Sequence, residues 1–380
     1  MREPTSRAAL PEQFRRFARA VGRDGALRYA AICEGCATDS WLLDLVAQAP
    51  PDQRRPNILL AAVHYLLLGG ADHPLASWYP TVGAHGGGAP MPLDGIFPAF
   101  ASFCRLHRHE LGALVATRAI QTNEVGRCTA LLPALATVAS RSAAPLAVVD
   151  LGTSAALNLY FDRYEYRYVH DGAVTVAGAP GSQVSLRCDV VDHVPPTAPF
   201  DVATRLGVDK APVDVRDDAS ARWILACQWP DHLDRFSIAR DAITLARDGT
   251  GQDVAIEIRE GDMVESLPRV AADVPAHVRL CLVHTWVAAY LPPDAQRALA
   301  VQVAAIAATR PVSWVFAEAP YEVPGLPMPP SPPGADRSAT ALVLVEDGPD
   351  TPRREWRLAD MHSHGRWLRW FGTADPAGGT

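Results

Sequence analysis

From Pro145 onward the chain repeats one pattern: a short, continuous apolar run that stops at an acid, a histidine or a glycine. The clearest examples are Leu146–Gly152, Val202–Asp209, Val254–Ile258, Arg279–His284 and Pro311–Glu318. Runs this short and this continuous read as strands buried on both faces, which is the habit of a parallel sheet. Helical stretches at Ala219–Gln228, Phe236–Arg247 and Pro293–Thr309 separate some of them. The alternation predicts an α/β fold with a doubly wound, mostly parallel sheet. The chain ends on alternating segments, Ala341–Glu346, Arg354–Ala359 and Arg366–Phe371, with a turn at Asp347–Asp350. These are expected as antiparallel closing strands at the sheet edge. Tyr164, Tyr166 and Tyr168 alternate, as do Val184, Leu186 and Cys188. They predict an inserted β-hairpin over about residues 163–191, with Gly178–Ser182 near its turn.

The chain before Pro145 has a different period. Phe14, Phe17, Ala18 and Val21 share one helical face, and 26–37, 40–48, 56–69, Phe97–Ala116 and Asn123–Ala139 continue in that mode. A loop rich in Gly and Pro, Tyr79–Pro92 with Gly86-Gly87-Gly88, interrupts them. The expected organisation is a helical domain over 1–140 and an α/β domain over 141–380.

Composition narrows the function. A formal net charge of -7 argues against nucleic acid and anionic membrane as partners. Lys210 is the only lysine and lies outside any GxxxxGK[ST] match, so a P-loop nucleotidase is excluded. The seven cysteines are spread from Cys33 to Cys281 and suit a reducing compartment. Cys33–Cys36 is a lone CxxC without a second ligand pair, and reads as two small residues on a helix rather than a metal site. The longest apolar run, Ile58–Gly70, is broken by His64 and too short to span a bilayer. With no apolar leader, a cytoplasmic location is expected.

Open α/β sheets bind ligands at the carboxyl ends of their strands. The first strand ends Asp150-Leu151-Gly152-Thr153-Ser154-Ala155-Ala156, the second Gly207-Val208-Asp209 before Ala211-Pro212, and the third Gly261-Asp262 before Leu267-Pro268. In order and spacing this succession resembles the class I S-adenosylmethionine (SAM)-dependent methyltransferases. The resemblance covers about 145–320 and the closing strands. It implies a SAM cofactor contacted by Asp150, Gly152, Ser154 and Asn158, with Asp209 on the ribose and Gly261-Asp262 at the adenine. The family's second and third loop glycines fall here at Ser154 and Ala156, which carry a Cβ. Apart from any ligand, Asp209 and Asp262 also read as caps of the segments that follow them. Over nearly its whole length the chain resembles the bacterial DUF2332 family, through Gln121–Arg127, Gly152–Leu159, Trp223 with Trp229-Pro230-Asp231, and His364-Gly365-Arg366-Trp367.

The helix expected at Asn123–Ala139 runs directly into the first strand. Its start, with Asn123, Glu124 and Arg127, then belongs beside the cofactor loop; the alternative is an ordinary helix cap with charge in the first turn. His284 and Glu318 end the fourth and fifth strands. With Glu124 they are the candidate catalytic residues, His284 having the pKa range of a base. Asn123, Arg127, Tyr290 and His364 are candidate substrate contacts, and Trp223 and Trp229 candidate pocket walls. His362 and His364 cannot complete a metal site alone. The expected function is methyl transfer from SAM to a small molecule of unknown identity, under a covering helical domain. The alternative is a Rossmann-like protein that binds a nucleotide-type ligand without catalysis or with other chemistry. An NAD enzyme is disfavoured, because no GxGxxG follows the first strand.

Overall fold

A computed structural model of the chain describes residues 6–82, 92–248, 254–331, 336 and 338–373. The chain divides into two compact units. Residues 2–122 and 214–240 make one, and 123–213 and 241–380 the other.

The first unit holds α1 (Leu10–Arg23), α2 (Leu27–Cys36), α3 (Ser40–Ala47), α4 (Pro56–Leu68), α5 (Ile96–Leu106) and α6 (Arg108–Thr117). Leu10, Phe14, Ala18 and Val21 form the buried stripe of α1, as the period requires. The Asp39 carboxylate caps α3 by accepting the Leu42 N–H at 3.1 Å. Phe97–Ala116, expected as one helix, is two, broken at His107. Gly86-Gly87-Gly88 lie outside the described residues. α4 is buried almost all round, His64 included. Burial drives the pKa of His64 down to about 4. The neutral ring donates from Nδ1 to the carbonyls of Ala226 and Gln228, 3.2 Å each, and accepts the Thr81 hydroxyl at Nε2.

The second unit opens with Asn123 and Glu124, a turn at Val125–Arg127, and α7 (Cys128–Ser140). Residues 214–240 return to the first unit with α8 (Asp218–Ala226) and the start of α9 (Leu233–Arg247). The sheet comprises β1 (Leu146–Leu151), β2 (Glu165–His170), β3 (Ala173–Gly178), β4 (Ser185–Val190), β5 (Val202–Asp209) and β6 (Ile256–Glu260). It continues with β7 (Arg279–Thr285), β8 (Val312–Glu318), β9 (Thr340–Gly348), β10 (Thr351–Met361) and β11 (Trp367–Trp370). Among the described residues these eleven strands form one sheet in the order β3-β2-β4-β11-β10-β9-β8-β7-β1-β5-β6. Its pairing is mostly parallel; β9, β10 and β11 pair antiparallel as expected, and β9 also pairs so with β8. They lie inside the sheet and not at its edge, because β11 pairs on with β4 of the inserted region. α10 (Leu267–Asp273) and α11 (Pro293–Ala307) share a core with Ala147, Val149 and Leu151 of β1 and Trp314 and Phe316 of β8.

The inserted region differs from expectation. The hairpin is β2–β3, closed by Asp171-Gly172 with φ of 48° and 80°. Two left-handed residues suit the twist of the flanking strands, and Asp-Gly is the pair that adopts them most readily. Gly178–Ser182 is therefore not a hairpin turn. It leads to β4, which pairs with β2 in parallel and also joins β11.

Candidate functional site

Side chains alternate along a strand, so Asp150 faces away from Val149, Leu151 and the α10–α11 core. The loop after it alternates too. Gly152, Ser154 and Ala156 have φ of 80°, 52° and 56°, while Thr153 and Ala155 between them stay out of that region. Such alternation turns successive N–H groups toward a common side, a geometry suited to anions. Here protein groups meet several of them. Val208 O accepts from Gly152 and Thr153, the Asp209 carboxylate accepts from Ser154 at 2.8 Å, and Asn123 Oδ1 accepts from Leu157 at 2.9 Å. Asp209 also accepts the Ala211 N–H at 2.9 Å, so it braces both its own loop and the β1 loop.

Asn123 and Glu124 precede the helix in non-helical backbone, which lets both side chains turn inward. Glu124 Oε2 lies 3.3 Å from His364 Nδ1. Arg127 donates from Nε to Ser363 O at 2.9 Å and from Nη1 to Thr285 O at 3.2 Å. The 363–365 turn comes this close because two glycines meet. A Cβ on Gly126 would strike the His364 carbonyl, and one on Gly365 (φ 74°) would strike the Gly126 carbonyl. The Thr129 hydroxyl is shared between the carbonyls of Gly126 and Gly365.

Asp150 is the perturbed group of this cluster. Burial is the main cause that pushes its pKa up to about 7, and the nearby Asp209 carboxylate adds to it; the Thr153 hydroxyl (2.9 Å) and Arg127 oppose. Beside it the Cys128 thiol, 3.5 Å from Asn158 Oδ1, is pushed up by burial and by the Asp150 and Glu124 carboxylates, and stays protonated. Ser154 Oγ is buried and has no hydrogen-bond partner among the described residues. A buried carboxyl poised near neutrality among hydrogen-bonding groups at a strand end is what acid–base chemistry uses.

The structure thus brings together Asn123, Glu124, Arg127, Asp150, Gly152, Ser154, Asn158, Asp209 and His364. It does not bring His284 and Glu318 to them. β7 pairs with β1 so that Val283 stands opposite Asp150, which puts Thr285 on the face of Asp150 and His284 on the other. His284 and Glu318 are both fully buried, bonded Nδ1 to Oε1 at 2.9 Å, with the ring stacked on Phe316. Glu318 Oε1 also accepts the N–H groups of Val287 and Ala288 at 3.0 Å each. That bonding makes the carboxylate the cap of the turn Ala288–Tyr290, whose Tyr290 is exposed. Asp262 is likewise engaged: its carboxylate accepts from Val264 and Glu265 and pairs with Lys210 Nζ at 2.8 Å. Burial opposes the charge on Asp262, but these partners hold its carboxyl below the usual range. Trp223 and Trp229 belong to the helical unit.

Thr153, Cys128 and Thr285 are site residues to which the sequence reading gave no role. Strand parity was the available signal for Thr285, once the β1–β7 register is known. Among the described residues no group of three His, Cys, Asp or Glu could hold a metal ion. A family model for uncharacterized proteins conserved in bacteria, DUF2332, matches residues 11–370. No curated protein and no solved structure matches the chain.

Proposed function

The chain belongs to the bacterial family DUF2332, and from the site it carries we propose that its sheet unit binds SAM at the carboxyl end of β1 and serves methyl transfer to a small molecule. One observation carries this reading: the backbone is left-handed at Gly152, Ser154 and Ala156, the three places where a methyltransferase loop has its glycines. The sheet supports it. Along β6-β5-β1-β7-β8 the third, second, first, fourth and fifth strands of the core lie side by side. In a doubly wound sheet that order reverses beside β1, and ligands bind at the reversal.

The acids retain acceptor capacity for such a ligand. A carboxylate offers about four lone-pair sites. Asp209 uses two of its own on N–H groups, leaving others for ribose hydroxyls. SAM would supply an activated methyl on its sulfonium; the chain's own residues position and exchange protons. Asn123 and Asp209 fix the loop, Arg127 and Glu124 fix the 363–365 turn, and Asp150 is the group able to hold or release a proton near neutral pH.

A different observation favours the second reading, a nucleotide-type ligand bound without methyl transfer. The open side of Gly152 is filled by Val287, whose Cβ lies 2.9 Å from where a Cβ on Gly152 would stand. Titration with S-adenosylhomocysteine tests the first reading. Ligand that binds only the folded state stabilises it, by about 2.7 kcal/mol at a hundredfold excess over Kd. A rise in Tm that Asp209→Asn reduces is the expected result. No rise at millimolar ligand overturns SAM binding; a rise without methyl incorporation into any extract fraction favours the second reading.

A further inference from the structure

The sheet carries another recess, built by a defect in β10. Arg357 stands opposite Val343 and Ala359 opposite Leu342, so Leu358 is an extra residue in the strand. In a regular strand positions 357 and 360 point to opposite faces. The bulge puts both on one face. There Arg357 donates from Nε to Asp360 Oδ1 at 2.6 Å and from Nη1 to Ser331 Oγ at 2.6 Å. Asp360 is 1% exposed; the Asp336 N–H faces its carboxyl, but Oδ2 is in no hydrogen bond of normal geometry with a described residue. A buried carboxylate oxygen without a donor is rare and costly.

Asp360 lines a cleft of about 210 Å³ with Val191, Asp336, Trp367 and Arg369. Register explains the grouping: Asp360 pairs with Arg369, and Trp367, two residues earlier on β11, shares its face. This is the face of Ala341, which pairs with Asp360 and belongs to the α10–α11 core. Asp150 lies on the other face, so the recess is separate from the site at β1. Among the described residues the charged groups at it are the carboxylates of Asp336, Asp360 and Asp192 and the guanidinium groups of Arg357 and Arg369, the last 3.2 Å from Asp192. Burial pushes the pKa of Asp360 up, the Arg357 guanidinium and the Asp336 N–H oppose, and the Asp336 carboxylate adds to the rise. Asp336 accepts the N–H and hydroxyl of Ser338, which hold its carboxyl below the usual range and ionised.

We propose that this cleft binds the cationic head of a small organic molecule, a guanidinium or primary ammonium group. It donates an N–H to Asp360 Oδ2, with Asp336 as the second carboxylate and the Trp367 ring as a wall. An N–H donor matches the single open oxygen, and an aromatic wall favours a cation. The volume is below that of sites for drug-sized ligands, about 300–1,000 Å³, so the site takes a head group of fragment size. A bare metal ion is disfavoured, because no cage of three ligating side chains is present among the described residues.

The test is isothermal titration calorimetry of the full chain with methylguanidine, and with tetramethylammonium, a cation of the same charge that has no N–H. Methylguanidine is expected to bind in the millimolar range, at least about tenfold tighter than tetramethylammonium. Asp360→Asn should abolish binding. Because that substitution also disturbs Arg357, the exposed Asp336→Asn provides the second arm. It should fold as the parent does, by circular dichroism, and bind several-fold more weakly. Absence of heat with methylguanidine overturns the proposal. So does equal affinity for the two cations, or unchanged affinity in both variants.

Discussion

Asp150 weakens the fold as pH rises from its unfolded to its folded pKa. In the unfolded chain an aspartate titrates near about 3.9; in the fold burial raises Asp150 to about 7. Between those values the folded chain holds a proton that the unfolded chain has released. Stability is therefore highest below the lower value, falls as pH rises toward 7, and levels off above it. Asp150→Asn removes the charge and keeps the shape. Urea unfolding is expected to give a flatter pH dependence for the variant, with higher stability than the parent at pH 8. Parallel slopes would mean that Asp150 stays ionised in the fold. Glu124→Gln is a different experiment, since it removes the charge facing His364. It is expected to weaken ligand binding with little change in Tm; a large fall in Tm with intact binding would make Glu124 a structural anchor only. The neighbourhood of Glu124 and Arg127 was legible, because a short link from helix to strand fixes where the helix must begin. Their partners were not: His364 and Ser363 are more than two hundred residues away in the chain.

At the scale of elements, the strands of the parallel core were legible because burial on both faces leaves a continuous apolar run. The hairpin was misjudged for a local reason. Asp171-Gly172 carried the stronger turn signal, but the alternating tyrosines drew the pairing toward Val184–Cys188. Gly172→Ala should cost about 1–2 kcal/mol, the penalty for a Cβ in left-handed backbone, measured by equilibrium unfolding. The crossing of Gly126 and Gly365 makes a sharper case. Gly126→Ala or Gly365→Ala each forces the two backbones apart, toward the upper end of the ~1–3 kcal/mol of overpacking or beyond. Once one has separated them the other adds little, so the double variant should be less destabilised than the sum of the singles. Additive effects would show that the segments are not coupled.

Over the whole molecule, the helical unit depends on a segment far along the chain. Trp223 and Cys227 sit in the same core cluster as the buried residues of α1 to α6. His64 is bonded to the carbonyls of Ala226 and Gln228, and Trp223 Nε1 to Ala119 O at 2.8 Å. A fragment ending at Thr122 should retain helical far-UV signal but lose fixed near-UV signal, and joining 214–240 to it through a linker should restore the latter. A well-ordered short fragment would refute that dependence. What the sequence by itself determined was local: which segments are strands or helices, that the strands gather in a mostly parallel sheet, and that acids and glycines stand at their carboxyl ends. These follow from periodicity and burial, which each segment records in its own composition. Only the tertiary structure decided which face each strand-end residue takes. The β1–β7 register separates His284 from Asp150, and one bulged residue at Leu358 brings Arg357 and Asp360 together. Register is a choice between distant segments, and a shift of one residue moves every side chain of a strand to the opposite face.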